Sequence, residues 1–207
     1  MANLPPEAEP PVNTVPTGPF RLERPARQRV PFVFASPHSG RSYPDSLLAR
    51  TRLDATTLRR SEDAFVDELF AGAIDMGAPL LAAQFPRAFL DVNGFLPVWF
   101  PFILEETRAQ FGMAILIDCH SMPSALSVPD IVLGDRYGAS AAPALTAHAE
   151  AAFLRAGFSV ARNSPYAGGH STVLYGRVGS GWHALQIEIN RALYLDEERI
   201  AKRTTFD

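Results

Sequence analysis

From Val30 onward the chain alternates between short, continuously apolar runs and longer segments whose apolar residues recur every three or four positions. Val30-Pro31-Phe32-Val33-Phe34-Ala35 ends in the polar loop Ser36-Pro37-His38-Ser39-Gly40, the pattern of a buried strand feeding a loop. Over 57–77 the residues Ala64, Phe65, Leu69, Phe70 and Ala73 share one helical face, with acids near the start and Gly77 as a stop, so the spacing predicts a helix. The runs at 79–83, 113–118, 131–134, 158–161 and 184–189 predict further strands, and the segments ending at Phe111, over 139–156 and over 196–203 predict further helices. A turn is expected at Asp91-Val92-Asn93-Gly94.

Strands alternating with helices predict a layered α/β domain with helices on both faces of a mainly parallel or mixed sheet. Sites in such folds gather at the carboxyl ends of strands, and His38, His120 and Glu188 all fall at or near such ends. Residues 1–19 carry Pro5, Pro6, Pro10, Pro11, Pro16 and Pro19 with almost no large apolar side chains, which predicts a flexible tail ahead of one domain over 20–207.

The composition fits that reading: 207 residues, 47% hydrophobic and 20% charged, suffice for one large domain with a sizeable core. With 19 Lys and Arg against 22 Asp and Glu, and no basic run beyond the Arg59-Arg60 pair, the chain lacks the cationic footprint of a nucleic-acid binder. The start has no basic, apolar leader pattern, and the most apolar run, 95–104, holds Pro97 and Pro101, so a cytoplasmic protein without a membrane span is expected. The single cysteine, Cys119, excludes an internal disulfide and a thiolate cluster, so any metal falls to His, Asp or Glu.

His38 and His120 in strand-end loops, with Asp63 or Glu62 near the following helix, supply two nitrogens and one oxygen, a set that leaves zinc a fourth position for water. Alternation puts Gln186, Glu188 and Asn190 on one face of their strand, the makings of a cleft wall in which a carboxylate can move protons. Arg87 is a lone cation in an apolar stretch, suited to clamping an anionic group. The Gly168-Gly169 pair in the loop 163–170 lets backbone approach a ligand. Cys119 leaves its strand on the face opposite His120, which marks it as core rather than nucleophile. No serine-nucleophile elbow, phosphate loop or dinucleotide fingerprint is present.

Six motifs taken together resemble the N-formylglutamate amidohydrolase family, in the family's order: Ser36-Pro37-His38-Ser39-Gly40 with Tyr43-Pro44, Glu62-Asp63-Ala64-Phe65-Val66-Asp67-Glu68-Leu69-Phe70, Arg87-Ala88-Phe89-Leu90-Asp91-Val92-Asn93, Asp118-Cys119-His120-Ser121-Met122-Pro123, Asn163-Ser164-Pro165-Tyr166-Ala167-Gly168-Gly169, and His183-Ala184-Leu185-Gln186-Ile187-Glu188. The resemblance implies a three-layer α/β/α sandwich with a mixed central sheet, like that of the zinc carboxypeptidases and aspartoacylases. It implies one zinc, or another divalent metal, on His38, Asp63 and His120, with Glu188 as general base and then acid. It also implies Arg87 as a carboxylate clamp, and Asn93, Asn163, Tyr166, Gly168 and Gly169 as substrate contacts. The implied reaction is hydrolysis of N-formyl-L-glutamate in histidine degradation, with a different N-acyl amino acid or small peptide, or a non-catalytic ligand-binding relative, as alternatives. The chain departs from the family in one place: members read Asp-x-Asn-Arg where this chain has Asp91-Val92-Asn93-Gly94, and 95–100 runs almost directly into Glu105. A cation that members carry is thereby absent, which leaves the acyl amino acid open.

Overall fold

The computed structural model describes residues 13–91, 100–124 and 128–206. Eight strands form one mixed sheet: β1 Asn13–Thr17, β2 Phe20–Arg24, β3 Phe32–Ser36, β4 Leu80–Ala83, β5 Ala114–Met122, β6 Ile131–Gly134, β7 Val160–Arg162 and β8 Trp182–Asn190, in the spatial order β1-β2-β4-β3-β5-β8-β6-β7. The middle four, β4, β3, β5 and β8, are parallel, while β6 runs antiparallel to β8 and β2 antiparallel to β4. The helices are α1 Asp45–Leu48, α2 Ala55–Arg59, α3 Val66–Leu69, α4 Phe100–Phe111, α5 Pro143–Arg155 and α6 His170–Tyr175.

Of the strands predicted from apolar runs, β4, β5 and β6 are buried on both faces, and β7, at the sheet edge, is not. Every residue of β4, β5 and β6 is buried, which is why β4 and β6 carry no polar alternation and β5 opens on an apolar run. One face of the sheet, with Phe34, Leu80, Ile117, Cys119, Leu185 and Ile187, packs under α3 and α5. The other, with Val33, Leu81, Leu116 and Ala184, packs under Phe100, Ile103 and Leu104 of α4 and Tyr175 of α6. This is the expected three-layer α/β/α arrangement. Toward the carboxyl ends of β5 and β8 the second face turns polar: Asp118 lies beside Gln186, and His120 beside Glu188.

Three expectations are corrected. The helix over 57–77 breaks after α2 and resumes only at Val66, because Glu62 and Asp63 are buried and the Asp63 N–H donates to the His38 carbonyl at 2.9 Å instead of continuing a helical ladder. Phe65 takes up the bend at φ +63°. The segment 196–203 forms a two-stranded ribbon, β9 Leu195–Asp196 and β10 Ala201–Lys202, rather than a helix. There Asp196 Oδ1 accepts from the N–H groups of Glu198 and Arg199 and so caps a turn. The proline-rich stretch expected to be a flexible tail over 1–19 is paired from Asn13: β1 is an edge strand against β2, the position in a sheet where Pro16 is tolerated. Residues 1–12 lie outside the described residues. Among the described residues no helix is long and apolar enough to cross a membrane.

Behind His38, the loop 36–40 is clamped onto the chain after β4. A Cβ added at Gly40 would lie 2.0 Å from the Phe85 carbonyl oxygen and 2.7 Å from Gln84 C, with no flexible neighbour to yield. Gly40→Ala is therefore expected to destabilise the fold by about 2–3 kcal/mol. Gly72→Ala, where nothing lies within 4 Å, is expected to be neutral or stabilising by up to about 1 kcal/mol. Urea unfolding of the two variants checks the contrast.

Candidate active site

β3 and β5 are parallel neighbours, and the chain leaving β3 carries His38 to the side of His120 near the end of β5, with ring centroids 4.8 Å apart. The break between α2 and α3 inserts Asp63 between them. Its Oδ2 lies 2.9 Å from His120 Nδ1 and 3.3 Å from His38 Nδ1. All three residues are buried, and their candidate ligand atoms lie within 4.8 Å of one another. Glu62, the alternative carboxylate, points elsewhere: it accepts from Tyr43 Oη at 2.6 Å and pairs with Arg59.

Each imidazole turns Nδ1 toward Asp63 and Nε2 toward a second carboxylate, Asp91 Oδ1 at 2.8 Å from His38 and Asp118 Oδ1 at 3.1 Å from His120. Outer carboxylates of this kind fix ring orientation and tautomer in metal centres. His38 Nδ1 is a buried nitrogen without a hydrogen-bond partner, as a ligand atom would be. Burial opposes charge on His120, but Asp118 and Asp63 outweigh it and push the imidazole well above its ordinary range. Burial likewise works against the Asp63 carboxylate, yet the two imidazoles hold it below the usual carboxylate range. The field of the cluster thus favours positive charge, and His38, Asp63 and His120 could hold a divalent cation.

Asp63 has a further partner that sequence reasoning missed. Arg191, buried just past β8, donates from Nη2 to Asp63 Oδ1 at 3.1 Å and to the Glu62 carbonyl at 2.7 Å, from Nε to Ser121 Oγ at 3.1 Å, and from Nη1 to the Arg60 carbonyl at 3.2 Å. Asn190 sets this up by accepting from the Ala192 N–H through its side chain.

Glu188 is 7% exposed, and burial raises its carboxyl to about 7, with Asp63 and Asp118 adding to the rise and His120 opposing it. A carboxyl poised there exchanges protons near neutral pH. Gln186 steadies it, donating from Nε2 to Glu188 Oε1 at 2.7 Å while its Oε1 accepts from the Gly169 N–H at 2.5 Å. Gly168, at φ +122°, has no room for a Cβ beside Thr172 Oγ1. The Gly169 N–H therefore braces Gln186.

A cavity of about 250 Å³ is lined by Asp63, His120, Glu188, Arg87, Tyr166 and Arg60, among others. Arg87 and Tyr166 thus stand on the same cleft as the buried cluster. Arg87 is held by Asp91, whose Oδ2 lies 3.0 Å from both Nε and Nη2, so Asp91 bridges Arg87 and His38. Asn163 pairs with Asp135: its amide donates to Asp135 Oδ1 at 2.8 Å and accepts from the Asp135 N–H at 3.0 Å. Asn93 lies outside the described residues. Cys119 is fully buried in the core on the opposite face, as alternation predicts, and burial pushes its thiol up.

Residues 30–96 and 102–195 match the family model described as N-formylglutamate amidohydrolase. The chain is similar to an N-formylglutamate deformylase of Pseudomonas aeruginosa, 30% identical over 226 residues that cover 83% of this chain and 85% of that protein. It is also similar to one of Pseudomonas putida, 26% identical and covering 82% and 83%. Among solved structures it resembles an N-formylglutamate amidohydrolase from Ralstonia eutropha, with a TM-score of 0.82, 28% identity and 91% of each chain covered. A protein from Agrobacterium tumefaciens, at a TM-score of 0.65 and 17% identity over 86% and 85% of the two chains, shares the fold.

Arg191 and Arg87 are expected to differ sharply in their structural weight. Arg191→Met strands the buried Asp63 carboxylate and two carbonyls and is expected to cost about 3–5 kcal/mol. Arg87→Met, at a side chain 44% exposed, is expected to cost less than about 1 kcal/mol. Denaturant unfolding at neutral pH checks both.

Proposed function

Since the chain belongs to the N-formylglutamate amidohydrolase family and is an amidohydrolase, we propose that it hydrolyses the amide bond of N-formyl-L-glutamate, releasing L-glutamate and formate. The observation that carries this reading is the convergence of His38, Asp63 and His120 on one point, with Glu188 and Arg87 on the same cleft. Two imidazoles and one carboxylate suit zinc, with manganese, iron or cobalt as other ions the set accepts. When bound, the ion supplies Lewis acidity, polarising a carbonyl and making water acidic near neutral pH.

The remaining steps belong to the chain. Arg87 clamps the α-carboxylate of the substrate through its fork and sets the formyl group over the cluster. Glu188, its carboxyl raised to about 7 by burial, takes the proton of the attacking water and returns it to the departing amine, so the proton count closes over one turnover. Asp91 and Asp118 keep the two imidazoles facing Asp63, and Gln186 keeps Glu188 Oε1 in place. Gly94, where members carry arginine, favours a second reading in which the acyl amino acid is one without a second carboxylate.

Glu188→Gln tests the proton-transfer role. The variant is expected to retain its metal content and to lose about 10²–10⁴-fold in kcat on N-formyl-L-glutamate. A kcat within a few fold of the wild type would remove Glu188 from that role.

A further inference from the structure

Among the described residues near the cleft, Arg59, Arg87 and Arg191 are committed and Arg60 is free. Arg59 is engaged by Glu62 through Nε and Nη2 at 3.2–3.3 Å. Arg87 is held by Asp91, and Arg191 is buried on Asp63, Ser121 and backbone carbonyls. Arg60 is exposed, and among the described residues its guanidinium makes no hydrogen bond or ion pair. Its backbone is nevertheless fixed, with the N–H on the Thr56 carbonyl at 3.1 Å and the carbonyl held by Arg191 at 3.2 Å.

Arg60 lines the 250 Å³ catalytic cleft together with His120, Asp63 and Glu188. It also lines an adjoining cavity of about 370 Å³ formed with Pro123, Arg191, Ile200, Glu197 and Glu198. Arg60, Pro123 and Arg191 are common to the two, so a group reaching out of the cleft in that direction passes the free guanidinium. The acids beyond it do not quench it: Glu197 Oε1 accepts from the Ser124 N–H at 2.9 Å and from its hydroxyl, and Glu197 Oε2 faces Arg191 at 4.0 Å. Glu198 is exposed.

We propose that Arg60 is the specificity-determining residue of this cleft and takes the distal carboxylate of an N-formyl dicarboxylic amino acid. It thereby supplies from the α2 end the cation that Gly94 does not supply. The assignment deepens the deformylase reading and rests on it. A fork that is free before binding gains two charge-assisted hydrogen bonds without breaking an existing pair, whereas Arg87 is already assigned to the α-carboxylate and recruiting Arg59 would strip Glu62.

The test compares kcat/KM on N-formyl-L-glutamate and on its neutral isostere N-formyl-L-glutamine for the wild type, Arg60→Gln and Arg60→Lys. The wild type is expected to prefer the glutamate compound by about tenfold or more, and Arg60→Gln to lose about 10–100-fold on it, through KM, while changing less than about threefold on the glutamine compound. Arg60→Lys, which keeps the charge without the fork, is expected to fall between them. Equal losses on both substrates, or no loss on either, would overturn the assignment. A wild type that deformylates both compounds without preference would overturn Arg60 and leave the deformylase reading standing. A wild type that turns over neither would overturn both.

Discussion

The structure depends on one buried carboxylate. Asp63, 3% exposed, sits where an unpaired charge would be prohibitive, and each neighbouring element is bent to serve it. The helix predicted over 57–77 is broken so that the Asp63 backbone can bond to the His38 loop. The two imidazoles share Oδ2, and Arg191 crosses from the end of β8 to take Oδ1. Gly40 lets the loop that carries His38 press against Gln84 and Phe85 without a Cβ in the way. Stability and chemistry therefore share residues here: the arrangement that satisfies Asp63 is the one that points two nitrogens and an oxygen at a common centre.

The sheet supplies the register for the rest. Parallel pairing of β5 with β8 puts His120 opposite Glu188 and Asp118 opposite Gln186 on one face, just past the rows of Leu116 and Ala184 that seal under α4. The proton-transferring carboxyl is thus a strand neighbour of a proposed ligand, and low dielectric on that face raises Glu188 toward neutrality. Around this centre lie outer carboxylates, Asp91 and Asp118, each tied to one imidazole. Asp91 also holds Arg87, which links the substrate clamp to the cluster through a single side chain.

How much of this was legible in the sequence follows from how local each cause is. Burial leaves a direct mark, so β3 and β5 could be read from apolar runs and β8 from its alternation, and His38, His120 and Glu188 from their places near strand ends. The motif pattern also singled out Asp63, Arg87 and Tyr166, all of which line the cleft. The causes that act across the fold left no such mark. The break at 60–65 is dictated by partners distant in sequence, His38, His120 and Arg191, while its apolar spacing still fits a helix. Arg191 and Asp91 read as ordinary charges, because pairing with Asp63 and His38 is a property of the folded chain. Asn163 sits in a loop that looks ligand-ready, yet its amide is consumed by Asp135. The segment 196–203 reads as a helix, yet Asp196 caps a turn there.

Metal per chain, measured by elemental analysis on untagged protein purified without added metal, most directly tests whether the Asp63 cluster is a cation site. The account predicts about one divalent ion per chain, reduced to background in His38→Ala and in His120→Ala while Glu188→Gln retains it. Wild-type protein that carries no metal and takes up none at micromolar zinc would contradict it.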